Sequence, residues 1–154
     1  MNLLARIFLY IFLLIPFCSF AQNRADLVAQ QVQQARANGN IEEAIRLFEE
    51  NSIKQAQTME TGDYKVGNKC FDNKIKCLSY LYEHGKLELL EKYLSHENVG
   101  VRETAAYAYL SFCPQKGEEV LSEIANGDYG FHTITAEMTL KEWKDGKLTF
   151  LFQK

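Results

Sequence analysis

The residues able to do chemistry are three histidines (His84, His96, His132), four cysteines (Cys18, Cys70, Cys77, Cys113) and several adjacent carboxylates. A histidine serves as a general base or a metal ligand, yet none of the three stands in a His-Glu-x-x-His or comparable spacing. Cys70, Cys77 and His84 form a row with steps of seven, the composition of a soft-metal site. On one helix successive members lie about 10 Å apart along the axis, while zinc holds every ligand about 2 Å away. The same separation puts a Cys70–Cys77 disulfide out of reach, so a bridge would have to use Cys113. The plainer expectation is three buried thiols acting as small apolar side chains.

The carboxylates run in pairs: Glu42 with Glu43, Glu49 with Glu50, Glu118 with Glu119. Catalysis needs two carboxylates set apart in a cleft with displaced pKa values. Here bases follow at four-residue steps (Glu42 and Arg46, Glu50 and Lys54, Glu88 and Lys92, Glu137 and Lys141), the pattern of a solvated helix face. A Gly-rich phosphate loop, a Gly-x-Ser-x-Gly elbow and a Cys-x-x-Cys pair are all missing from the sequence. The expectation is therefore a protein that is not an enzyme and uses no cofactor or metal. A metal binder or enzyme without a recognisable motif is the rival class.

Helices must position these residues, because from Arg24 onward apolar side chains recur at three and four rather than two. A first helix is expected over Arg24–Ala37, with Leu27, Val28, Val32 and Ala35 inward. Asn40 and Glu43 have the spacing of a capping box opening a second helix, which runs to about Glu60. A third spans Tyr64–His84, with Val66, Cys70, Ile75, Cys77, Leu78 and Leu81 inward. Gly39, Gly62 and Gly85, spaced by 23 residues, punctuate these helices and suggest stacked units of similar length. A short helix over Leu87–Leu94, with Leu89, Leu90 and Leu94 inward, precedes the turn Ser95–Asn98. Then follow Val99–Leu110, Glu118–Ala125 and Thr135–Trp143, with Pro114 as a stop and the tail Leu148–Phe152 as a cap.

The N-terminus has its own signature. Arg6 precedes the apolar run Ile7–Ile15, and Ser19 and Ala21 supply the small residues of a signal-peptidase site. Residues 1–21 are expected to be a secretory signal peptide, too short in its apolar run for the ~20 residues of a spanning helix. Export to the periplasm or beyond removes Cys18 and leaves no expectation of stable membrane insertion. The chain of 154 residues is 47% hydrophobic and 24% charged, the composition of a globular domain. Its net charge of −3, more negative once Arg6 is lost, disfavours nucleic acid as a partner.

The segment Gly39-Asn40-Ile41-Glu42-Glu43-Ala44-Ile45 resembles the turn and second helix of one tetratricopeptide repeat. The stretch from Leu87 through the turn Ser95–Asn98 to Val101-Arg102-x-x-Ala105-Ala106-x-x-x-Leu110 resembles a HEAT repeat. Together with the ending Ala136–Leu148, residues 55 to 148 resemble the bacterial "domain of unknown function 2019" family. This resemblance implies an all-α, short HEAT-like stack of antiparallel helix hairpins of the α-solenoid type, with no assigned chemistry. The organisation expected is a signal peptide (1–21), an N-terminal helix hairpin (22–60) and a HEAT-like region (61–154) packed with the hairpin as one domain. Val101, Ala105, Ala106 and Trp143 would be structural residues of the repeat, and Arg102 would bond between adjacent repeats.

Tyr80 and Tyr82, like Tyr107 and Tyr109, are two apart on helices, so each pair diverges by about 200° and cannot share one core. Tyr109 is expected inward, with Glu103, Tyr107 and Tyr80 as a possible protein interface. The function expected is an exported, non-enzymatic module binding a protein partner, with an immunity protein or toxin inhibitor as a narrower alternative.

Overall fold

The computed structural model describes residues 26–154. The signal-peptide expectation, Cys18, and the expected start of the first helix at Arg24 lie outside the described residues. Among the described residues the chain is an all-α stack: α1 (26–37), α2 (Ile41–Thr61), α3 (Tyr64–Glu83), a 3-10 helix (Leu87–Ser95), α4 (Val99–Leu110), α5 (Pro114–Ala125), α6 (Phe131–Lys144) and a 3-10 turn (Leu151–Gln153). None of the helices described is long and apolar enough to cross a membrane.

The helix ends follow from local chemistry. The Asn40 side chain accepts from the Glu43 N–H at 3.0 Å, that of Asp63 from Val66, and that of Asn98 from Gly100 and Val101, each satisfying orphan donors of a first turn. Only half of the expected capping box forms, because the Glu43 carboxylate turns to Arg46. Arg46 bridges Glu43 and Glu50 rather than Glu42. Gly39, Gly62 and Gly85 each take a positive φ (66°, 75° and 61°) where a helix ends, a conformation that costs L side chains about 1–2 kcal/mol.

Two apolar clusters meet on α4. One gathers Val32, Phe48, Leu78, Leu81, Leu90, Val101, Ala105, Tyr109 and Phe152, from α1 to α4 and the C-terminal turn. The other joins Ala106 and Leu110 to Leu121 and Ile124 of α5 and to Ala136 and Leu140 of α6. Each fully buried leucine contributes roughly 1.5–3 kcal/mol. The small residues let α5 come close: a Cβ on Gly117 would lie 2.8 Å from the Ala106 carbonyl oxygen.

Two expectations about facing change, and two about where helices start. The Leu87–Ser95 segment winds as a 3-10 helix, whose three-residue turn aligns Leu87, Leu90 and Tyr93 inward and leaves Leu89 exposed. Leu27 also points outward, since α1 packs through Val28, Val32 and Ala35. Both later helices start four residues earlier than expected. Pro114 opens α5 at its first position, where a missing N–H costs nothing. At the start of α6, the Thr133 hydroxyl accepts from the Tyr129 N–H and donates to the Gly127 carbonyl, fixing the loop one turn ahead of Thr135.

Candidate functional site

The N-terminal half of α4 collects most of the buried polar chemistry. Thr104 lies one turn after Gly100 and donates its hydroxyl hydrogen to that carbonyl, while accepting from the Lys74 ammonium of α3 at 2.7 Å. Lys74 is 8% exposed, and burial brings its pKa down from 10.5 to about 8, with the charge of Glu103 opposing that fall. Glu103 accepts from Nδ1–H of His132 on α6, both side chains being largely enclosed. A line of polar groups thus ties α3, α4 and α6 at one level of the stack. Asn73 and Asn51 extend it to α2 through a 3.3 Å hydrogen bond.

A second carboxylate–imidazole pair stands just before α4. The Asn98 N–H donates to His96 Nδ1 at 3.0 Å, which leaves the His96 hydrogen on Nε2, directed at Glu49. Glu49 also accepts from the Tyr93 hydroxyl at 2.8 Å; burial first, and Glu49 second, raise the Tyr93 pKa. Arg102 donates to the His96 and Glu97 carbonyls at 2.7 and 3.2 Å and stacks over the Tyr129 ring at 5.4 Å. It therefore binds the turn ahead of its own helix and the loop between the next two. Its Nε is buried without a hydrogen-bond partner among the described residues.

These groups are bonded to one another. The second ring nitrogen of His96 is taken by backbone, and no hydroxyl or thiol bonds to His132 among the described residues. A relay would require a nucleophile there. Cys70, Cys77 and Cys113 are free thiols, and burial pushes Cys77 up to about 12, far from a reactive thiolate. No group of three or more ligating side chains suited to a metal occurs among the described residues.

Of the residues expected at an interface, Tyr80 is buried while Glu103 and Tyr107 are half-buried with partners inside the chain. Tyr80 is 2% exposed, its ring stacked on His84 and its hydroxyl near the Gly39 turn, so it faces the core instead of solvent. Glu103 is turned to His132. Tyr107 lies under the C-terminal tail, accepting from the Leu151 N–H at 2.8 Å and donating to the Thr149 carbonyl at 3.0 Å. Val101, Ala105 and Ala106 are fully buried as expected. Trp143 donates from its indole nitrogen to Glu118 of α5 at 2.8 Å.

Exposed apolar side chains occur on several elements, and on α6 three of them fall in a row. Phe131, Ile134 and Met138 are 61%, 52% and 59% exposed, and their i, i+3, i+7 spacing places them on one stripe. Ala136 and Leu140 fill the opposite face against α4 and α5. This helix is consequently apolar on two sides, one packed and one open. The signal was present in the spacing of the sequence, but a helix begun at Thr135 omits two of the three residues. Beside the stripe, an open depression between the C-terminal halves of α5 and α6 is lined by Glu137, Lys141, Lys144 and Asp145.

No protein-family model, curated protein or solved structure matches this chain.

Proposed function

We propose that this chain is an exported, non-enzymatic helical module that binds another protein, and that the outer stripe of α6 is its binding face. The observation that carries the proposal is the row Phe131, Ile134 and Met138, each more than half exposed on the last long helix of the stack. Large apolar side chains grouped on one exposed face lose water on association, and aromatic and Met side chains are enriched in interface cores. The charged border of Glu137, Lys141 and Glu142 supplies a polar rim.

The HEAT-like character belongs to the same proposal. Support comes from Val101, Ala105 and Ala106, which let α4 sit between its neighbours, and from Arg102, which reaches from its own turn to the loop carrying Tyr129. Export rests on the signal-like pattern of residues 1–21. A protein without catalytic machinery acts through its surface; the Glu103–His132 pair then serves to fix α6 on α4, and the Lys74–Thr104 bond to fix α3 on α4.

The test is the full chain carrying Phe131→Asp and Met138→Asp together. Both sites are solvent-exposed, so stability should change by no more than about 0.5 kcal/mol each. Capture of the partner should fall at least tenfold. A folded double variant that captures its partner undiminished would overturn the assignment of this face.

A further inference from the structure

The C-terminal tail reads as a ligand seated in a receptor of its own chain. After α6 the backbone reverses at Asp145-Gly146-Lys147 and returns across α4 to α3. The Tyr107 hydroxyl grips the tail backbone on both sides of Phe150, through the Thr149 carbonyl and the Leu151 N–H. Phe150 is in an extended conformation (φ −80°, ψ 108°), packed between Tyr107 at 5.5 Å and Trp143 at 6.2 Å. Phe152 is 1% exposed, set edge-on to Tyr107 at 5.7 Å and Tyr82 at 5.8 Å. An aromatic-x-aromatic segment, extended at Phe150 and wound into a 3-10 turn at Leu151–Gln153, is thus held by main-chain hydrogen bonds and two ring pockets, the recognition chemistry of a peptide groove.

The reversal that keeps the tail at home depends on one residue. Gly146 takes φ +67°, and the Lys147 and Gly146 N–H groups donate to the Glu142 and Trp143 carbonyls at 2.8 and 3.0 Å, a Schellman closure. A Cβ on Gly146 would meet nothing within 4 Å, so a side chain there burdens the left-handed turn and no packing. Opening this hinge sends the tail away from its groove with every docking group intact on both.

We propose that the groove formed by Tyr82, Tyr107 and Trp143 accepts the C-terminal tail of a second copy of this chain, giving a reciprocal dimer exchanged at Gly146. The occupant is identified by the seated tail itself, since Thr149-Phe150-Leu151-Phe152 of any copy meets the groove with identical chemistry. The exchanged dimer keeps the tail contacts of the monomer and relieves two left-handed hinges, so it is favoured by concentration and by hinge substitution. This surface is distinct from the α6 stripe.

The test is the full chain with Gly146→Val, a β-branched residue that resists positive φ. With a cost of about tenfold per hinge, the dimer dissociation constant should fall about a hundredfold relative to the unmodified chain, measured by sedimentation. Adding Phe150→Asp with Phe152→Asp, which keeps the tail from seating in any copy, should abolish the dimer, while Phe131→Asp with Met138→Asp should leave it unchanged. A folded Gly146→Val protein that stays monomeric overturns the proposal, as does a dimer that survives Phe150→Asp with Phe152→Asp. If Gly146→Val does not fold, the unmodified chain refolded at about 1 mM and at about 1 µM decides. A dimer recovered only at the higher concentration, and lost with Phe150→Asp and Phe152→Asp, supports exchange; monomer at both overturns it.

Discussion

Replacing Lys74 by Met should change how stability depends on pH, by an amount and sign fixed by where Lys74 sits. In the folded chain its ammonium is sealed between α3 and α4 with Thr104 as hydrogen-bond partner, and it releases its proton at about 8 instead of 10.5. Between those values the unfolded chain binds more protons than the folded one, so raising the pH stabilises the fold. The full displacement is worth about 3 kcal/mol, of which about 2.5 kcal/mol is recovered between pH 7 and pH 10. Buried thiols work in the opposite direction, since Cys77 is held protonated to about 12 and costs stability as the unfolded thiol ionises. Met has similar length and no charge, and leaves the Thr104 bond to the Gly100 carbonyl in place. Urea unfolding of both proteins at pH 7, 8, 9 and 10 cancels the thiol contribution in the difference. The stability of the Lys74 protein relative to Lys74→Met should rise by about 2.5 kcal/mol across that range. A difference that stays flat, or falls, would refute the placement of a charged amine in that buried position.

Two substitutions test the packing and capping on either side of α4. Gly117→Ala puts a methyl group 2.8 Å from both the Ala106 carbonyl oxygen and the Leu110 amide nitrogen, which are backbone atoms unable to rotate aside. It should cost about 1–3 kcal/mol in denaturant unfolding, whereas an unstrained Gly→Ala change in a helix stabilises. Asn98→Ala removes the acceptor for the Gly100 and Val101 N–H groups and should cost about 1 kcal/mol, whereas Asn98→Asp keeps an acceptor there and should recover most of that loss. Equal stability of the Ala and Asp proteins would count against the cap.

Much of the fold was legible in the sequence because helices announce their ends. The Asn40, Asp63 and Asn98 caps and the glycines at 39, 62 and 85 stand where the spacing placed helix boundaries. What was not legible depends on tertiary partners. Periodicity assigns Leu89 inward on an α-helix, and only the tighter 3-10 winding, set by packing under α4, exchanges it for Tyr93. Tyr107 reads as exposed until the tail folds back over it. Lys74 lies on the same inward face as Cys70 and Leu78, yet a lysine there looks like a solvated residue because its partner Thr104 is thirty positions away. The stripe on α6 was hidden by a helix start set one turn late, where the Thr133 side chain, bonded back to Gly127 and Tyr129, opens the helix at Phe131.

The most direct measurement is capture of partners by the tagged full chain from native cell and secreted fractions, followed by hydrogen exchange on the purified complex. The account predicts one stoichiometric protein partner, with amide protection added along Phe131–Met138 and little change over α2. Repeated captures that return only the bait, or a complex whose protection leaves α6 untouched, would contradict the claim that this helix is the binding face.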